Sequence, residues 1–318
     1  MLIGPGGSGK TFTYNAIVEY VRGLGKVAVC VASTGISSLL LEGGTTAHSR
    51  FKIPLNVDEW SSCSLPFDSP QADVLKEAAL ICWDEAPVMS RFAFEAVHKF
   101  FCELMGTTLD VPFGGKVVLL GGDFRQTLPV VSHGSAHQVL EQCLFKSELW
   151  KVVNVMHLRT NMRVQRMQST NTMQAERLQN FCDFLLSIGN DTIPNLDIPN
   201  SPPDYIRLPH DFCLPISKSH NENIANIFQK TYPNFKDNYH SMEWMLERAI
   251  LAPLNSTVQE INDWAVEQLP EAEQVEKLSL DKLLDNDAEM QDAYNIDFLN
   301  SYNEASIPPH KLTLKVCF

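Results

Sequence analysis

Four clusters of residues have the types and spacing to do chemistry on a triphosphate. The first is Gly4-Pro5-Gly6-Gly7-Ser8-Gly9-Lys10-Thr11. It fits the pattern of a loop that opens a helix directly after a strand and wraps phosphates. Glycines let the backbone turn tightly and point several N–H groups at phosphate oxygens. The helix beginning near Lys10 adds the positive end of its dipole. Lys10 is expected to neutralise phosphate charge and the Thr11 hydroxyl to ligate Mg²⁺. The second cluster is Asp84-Glu85, at the end of the apolar run Ala79–Trp83. Adjacent carboxylates are costly beside a buried strand unless they have partners. Next to a phosphate loop they have a use: Asp84 holds the metal, and Glu85 polarises the water that attacks the γ-phosphate. A helix cap is the competing reading.

The third cluster is Gly121-Gly122-Asp123-Phe124-Arg125-Gln126, after the apolar run Val117–Leu120, where Gln126 suits a sensor of the γ-phosphate. The fourth is Arg159-Thr160-Asn161-Met162-Arg163, after the strand candidate Val152–Leu158. An arginine there can reach the charge that develops on the phosphoryl group.

These clusters need a scaffold that brings strand ends together. Lys26–Ala32 is a continuous apolar run rich in β-branched residues, as expected of a strand buried on both faces of a parallel sheet. Leu2-Ile3 reads as the end of a strand, and Phe12–Arg22 has Ile17, Val18 and Val21 at helical spacing. Ser33-Thr34-Gly35 follows the second strand, Ile36–Leu41 looks helical, and Gly43–Ser49 reads as a polar turn. Small hydroxyl residues at strand ends can meet the phosphates of a nucleic acid, or can simply cap helices and close turns. Arg50–Pro70 has no period and reads as a surface excursion. Glu176–Gly189 is an amphipathic helix. Ile193–Pro209 holds five prolines and reads as a boundary. Arg248–Pro253 reads as a strand entering a new unit, with Val258–Leu269 as its helix. Glu271–Asp297 reads as an acidic solvated face, and Lys311–Phe318 as an alternating strand without a partner.

Composition narrows the classes. Hydrophobic residues make up 44% of the chain and charged residues 20%, as in ordinary globular proteins. No apolar run reaches the roughly 18 residues that span a bilayer, so no membrane partner is expected. The eight cysteines show no zinc-like spacing and read as reduced thiols. The net charge of −13 is unevenly placed. Up to Gln165 there are 14 basic against 15 acidic residues, and beyond it 11 against 23. That excludes a protein that grips nucleic acid by bulk charge, though not one with a local basic groove.

Taken together, GPGGSGKT (4–11), ASTGISSLLLEGGTTAHS (32–49), WDEAPVMSR (83–91), FGGKVVLLGGDFRQTLPVV (113–131), LRTNMR (158–163) and RAILAPLNSTVQEIN (248–262) resemble the Pif family of ATP-dependent DNA helicases. These belong to superfamily one and are related to RecD. FLNSYNEASIPPHKLTLKV (298–316) is similar to the Helitron-transposon type. The resemblance implies an α/β fold with a RecA-like parallel sheet flanked by helices, followed by an incomplete second RecA-like domain. It places the ATPase domain at 1–192, a linker and helical connection at 193–247, and the start of the second domain at 248–318. The activity implied is ATP hydrolysis coupled to 5′-to-3′ movement on single-stranded DNA, with Mg²⁺ as cofactor, in the nucleus or mitochondrion. The processes implied are DNA repair, recombination, telomere maintenance or transposition. The nucleotide set is Gly4, Gly6, Gly7, Ser8, Gly9, Lys10 and Thr11, with Thr11 and Asp84 on the metal. Lys10, Glu85, Gln126 and Arg163 are the implied catalytic residues, Arg163 as an arginine finger. Thr34, Gly35, Thr46 and His48 lie in the segments that such helicases use along DNA.

The same resemblance leads us to expect a chain truncated at both ends, without an upstream glutamine that reads adenine and without the later motifs. Two other classes compete. One is a remnant that binds ATP and weakly DNA without unwinding; the other is a phosphate-loop switch or assembly ATPase indifferent to DNA.

Overall fold

The computed structural model describes residues 1–131, 133–169, 171–199, 205–269, 274–280, 300 and 310–315. The chain divides into two units, Met1–Asp204 and Tyr205–Phe318, and the division falls inside the proline-rich stretch. In the first unit, β1 (Leu2–Ile3), β2 (Val27–Ala32), β3 (Thr45–Thr46), β4 (Ala78–Asp84), β5 (Val118–Gly122) and β6 (Met156–His157) form one sheet in the order β3-β2-β4-β5-β1-β6. Every pairing is parallel. The connections carry α1 (Lys10–Gly23), α2 (Gly35–Ser38), α3 (Ala47–Phe51), α4 (Pro70–Glu77), α5 (Arg91–Met105), α6 (Ala136–Glu141), α7 (Met162–Gln168) and α8 (Thr172–Gly189). A parallel sheet needs helical crossovers, and they put all the strand-end loops along one edge.

The uninterrupted apolar runs of β2 and β4 reflect burial on two faces with different packing. Val29, Val31, Ile81 and Trp83 point into one cluster with Phe51, Phe94 and Phe101. There Trp83 lies 5.7 Å from Phe51 and 5.8 Å from Phe94 between ring centroids. Ala28, Cys30, Ala32, Leu80 and Cys82 face the other way, against Tyr14 and Val18 of α1. Small side chains on that face let α1 lie close to the sheet. The closest approach is at Gly121 of β5, where an added Cβ would stand 1.6 Å from the Tyr14 hydroxyl. Tyr14 is fully buried and has no room to retreat. Gly121→Ala is therefore expected to destabilise the unit by about 1–3 kcal/mol through overpacking. Urea unfolding measures it, and an unchanged midpoint would refute it.

α5 follows Ser90, whose side chain accepts from Phe92 N–H, and buries Phe94, Val97, Phe100 and Phe101 on one face. His98 on the same helix pins the loop leading to β5. Its Nδ1 accepts from Phe113 N–H at 3.0 Å, so Nε2 carries the hydrogen and donates to the Leu109 carbonyl at 3.1 Å. Burial pushes its pKa down, in keeping with a neutral ring that uses both nitrogens.

Several expectations are corrected. Gly43–Ser49 is not simply a turn: Thr45 and Thr46 pair with Val31 and Ala32, and the Thr46 hydroxyl caps α3 by accepting from Ser49 N–H. The strand expected over Val152–Leu158 is confined to Met156–His157, because Ser147 caps a 3₁₀ turn over Glu148–Val152 that uses the preceding residues.

In the second unit, α9 (His220–Thr231), α10 (Phe235–Asn238), α11 (Met242–Leu246) and α12 (Asn255–Gln268) surround an aromatic group. Phe228 lies 4.8 Å from Trp264, 5.0 Å from Phe235 and 5.1 Å from Tyr232. Arg248–Pro253 is not a strand. Local contacts hold it instead: the Arg248 carbonyl accepts from the Tyr232 hydroxyl at 3.0 Å, and its guanidinium lies over the Trp244 ring. The strand expected at the chain's end does have a partner. β7 (Gln274–Leu278) pairs antiparallel with β8 (Lys311–Lys315), with Leu278 opposite Lys311 and Gln274 opposite Lys315. β7 occupies the start of the acidic stretch 271–297. Residues 271–273 and 281–297 of that stretch, 298–299, 301–309 and 316 of the Helitron-like segment, and 316–318 of the expected terminal strand lie outside the described residues.

Candidate active site

The loop between β1 and α1 is built on glycine conformations. Gly7 and Gly9 have φ of 83° and 88°, in the left-handed region that suits glycine. Ser8 closes the turn, its N–H and hydroxyl both donating to the Pro5 carbonyl at 3.2 and 2.8 Å. Gly9 stands at the N-cap of α1 and offers no side-chain cap, so the first N–H groups of the helix are left to a ligand. Lys10 curls back over the loop, and its Nζ donates to the Gly4 carbonyl at 2.7 Å. Gly4 thus serves as the lysine's acceptor, while Gly6, Gly7, Ser8, Gly9, Lys10 and Thr11 line a cavity of about 380 Å³.

Parallel pairing brings the paired acids to the same cavity. Asp84, the last residue of β4, is only 3% exposed, and one of its oxygens accepts from Glu85 N–H at 2.9 Å. Burial pushes the Asp84 carboxyl up, opposed by that hydrogen bond and by the Lys10 charge. Burial first, and then the Asp84 charge, raise Glu85 as well. Glu85 also has a left-handed backbone, φ 52° and ψ 36°, which turns the chain sharply as it leaves the sheet. The Tyr14 hydroxyl is buried beside Asp84, and burial followed by the acid's charge pushes its pKa up. Among the described residues neither Asp84 nor Glu85 forms an ion pair. A buried carboxylate without an ion-pair partner, with Thr11 lining the same cavity, is a donor set that fits a hard divalent cation.

Gln126 and Arg163 line this cavity too. Gln126 sits on a turn held by a buried acid: Arg125 grips Asp123 with both arms, Nε at 2.7 Å and the second nitrogen at 3.2 Å. Asp123 is 5% exposed, and its carbonyl accepts from Gln126 N–H at 3.1 Å. Sequence reasoning assigned neither Asp123 nor Arg125, because a pair two residues apart looks like an ordinary surface contact. It also passed over Arg166, which lines the cavity one helical turn beyond Arg163. The three-residue spacing was the available signal.

The four residues expected to touch DNA lie outside this cavity, at the ends of β2 and β3. Thr34 caps α2, its hydroxyl oxygen accepting from Ser37 N–H at 3.2 Å, and Gly35 is the first helical residue. Thr46 caps α3 in the same way. His48 lines a second cavity of about 380 Å³ with Met89, Ser90 and Val131, and burial lowers its pKa. The capping roles expected of small hydroxyl residues are therefore present, and they leave these hydroxyls' lone pairs and the exposed backbone available.

A family model described as PIF1-like helicase matches residues 1–198, which include every residue of both cavities. The chain belongs to the PIF1-like helicase family. Its relatives include the ATP-dependent DNA helicase Pif1 of Psychrobacter sp. (strain PRwf-1), 31% identical over 151 residues, or 47% of this chain and 22% of that protein. The chain thus spans about a fifth of the length of the curated relatives it matches. Among solved structures, Bacteroides Pif1 bound to single-stranded DNA superposes with a TM-score of 0.56 at 19% identity, covering 99% of this chain and 59% of that one. The Bacteroides complex with ADP-AlF3 and single-stranded DNA gives 0.58 at 18% identity, covering 88% and 56%. At that identity the likeness establishes the fold alone: this member of the family carries the α/β architecture of the part of the solved Pif1 chains that it covers. No helix among its described residues is long and apolar enough to cross a membrane.

Proposed function

We propose that this chain is the ATP-hydrolysing part of a motor that moves 5′ to 3′ along single-stranded DNA and unwinds duplex. One observation carries the reading: a single cavity gathers Lys10, Thr11, Asp84, Glu85, Gln126 and Arg163 from four separate stretches of the chain. The loop N–H groups and Lys10 bind the triphosphate, Lys10 exchanging its Gly4 carbonyl for phosphate oxygen. Thr11 and Asp84 are the residues to hold Mg²⁺, which when bound neutralises charge on the phosphate oxygens. Glu85 takes the proton of the water whose oxygen attacks the γ-phosphorus, and the bond to the bridging oxygen breaks to leave ADP. Gln126 contacts the γ-phosphate, and Arg163 meets the charge that accumulates in the transition state.

Thr34, Gly35, Thr46 and His48 stand on the same sheet edge and are the proposed contacts to the DNA strand. Residues 193–247 would connect to a second RecA-like domain beginning at 248, and closure of the two domains on ATP would convert each hydrolysis into a step. DNA repair, recombination, telomere maintenance and Helitron-type transposition, in the nucleus or mitochondrion, are the processes this activity would serve. The test combines ATP turnover, with and without single-stranded DNA, and strand displacement on a tailed duplex. Turnover should rise with DNA, and displacement should require ATP. Hydrolysis indifferent to DNA would replace the motor with a switch ATPase. ATP binding with neither hydrolysis nor displacement would reduce the chain to a nucleotide-binding remnant.

A further inference from the structure

Beside the phosphate loop, the Asn161 side chain ties the start of α7 to α8. Its Oδ1 accepts from Arg163 N–H at 3.1 Å and Val164 N–H at 3.3 Å, capping α7. Both partners are backbone donors, so the amide orientation is fixed and Nδ2 must face the other way. There it donates to the Cys182 sulfur on α8 at 3.3 Å. The next residue closes the contact from the other side, Met162 N–H donating to the Gly7 carbonyl at 2.9 Å. A Cβ on Gly7 would stand 2.7 Å from Asn161 Oδ1 and 3.2 Å from Arg163 Cδ. The middle of the phosphate loop, the cap and the stem of Arg163 are therefore in direct contact.

We propose that Asn161 is the positioning residue for Arg163. Its carboxamide fixes the first turn of α7 between the phosphate loop and α8, and so aims the guanidinium into the nucleotide cavity. An ordinary cap needs only the oxygen. The second hand of the amide, on Cys182, and the closeness of Gly7 make this cap part of a three-way brace. The inference rests on the reading of Arg163 as the residue that meets transition-state charge. It makes the loop's shape and the arginine's aim two consequences of one amide.

A double-mutant cycle on the full chain tests it, with Asn161→Ala, Arg163→Ala and the double variant. Each is measured for ATP kcat and KM, for affinity for a non-hydrolysable ATP analogue, and for affinity for ADP with aluminium fluoride. Arg163→Ala should lower kcat by about 10³-fold or more. Asn161→Ala should lower kcat by at least about tenfold and weaken the aluminium fluoride complex in proportion, leaving analogue binding and KM within about threefold, the pattern of a contact made only in the transition state. The double variant should be no worse than Arg163→Ala alone, and Asn161→Ser, which restores the capping oxygen but not the donor to Cys182, should recover only a minor part of the loss; full recovery by serine would reduce Asn161 to an ordinary cap and overturn the brace. If the alanine variant does not fold, Asn161→Gly removes the carboxamide at a smaller penalty to the helix start and takes its place in the cycle. If turnover is too slow to follow, the two affinities decide. Additive losses, or an Asn161 variant that weakens both nucleotide complexes equally, would overturn the positioning role while leaving Arg163 in place. An Arg163→Ala chain with unchanged turnover and unchanged aluminium fluoride binding would overturn both.

Discussion

Lys10→Ala should lower ATP turnover by at least about 10²–10³-fold, the usual loss when one preorganised donor to developing charge is removed. Lys10 is the cation that the loop itself places in the cavity, and its charge opposes the upward push on both Asp84 and Glu85. The fold should survive. Among the described residues the Lys10 ammonium makes hydrogen bonds only to the Gly4 and Pro5 carbonyls, at 2.7 and 3.4 Å, and the loop keeps its Ser8 turn. Steady-state hydrolysis beside thermal unfolding separates the two effects. A variant that hydrolyses ATP within a factor of about three of the parent would remove the cavity from consideration as a phosphoryl-transfer site.

Glu85→Gln should give the opposite balance of binding and chemistry. Loss of the general base should slow hydrolysis by about 10²–10⁴-fold. Nucleotide affinity should hold or improve. The amide keeps the shape of the side chain, and its neutrality removes the repulsion that Asp84 and Glu85 impose on each other. Single-turnover hydrolysis measured with titration of the ATP analogue tests it, and parallel loss of affinity and rate would reassign Glu85 to binding.

Much of this site is legible in the residues alone, because its pieces are local. A glycine-rich run before a helix, an apolar run ending in two acids, and a polar group after the next strand each announce themselves within ten residues. What the parallel sheet adds is their convergence, since β1, β4 and β5 all deliver their loops to one edge. α5 has no counterpart among the elements read from sequence, although Ser90 as cap and apolar residues at helical spacing were there to be seen; it packs against the sheet. The misreadings share a cause. AILAP at 249–253 has the composition of a strand, yet a strand exists only with a neighbour, and Tyr232 and Trp244 hold Arg248 in a local turn. β8 found its neighbour in a stretch whose acidic composition hid the apolar Val275 between Gln274 and Glu276. The grip of Arg125 on Asp123 and the brace at Asn161 depend on distances that no spacing rule supplies.

The left-handed backbone at Glu85 has a bearing on how this protein responds to selection in the laboratory. Glycine would sit there without the penalty that a Cβ incurs, so a chain with glycine in place of the acid should fold more firmly by roughly 1 kcal/mol while losing the proposed base. Enrichment for heat tolerance alone will push against the role proposed for this very residue. Libraries intended to harden the protein should hold position 85 fixed and look for gains elsewhere.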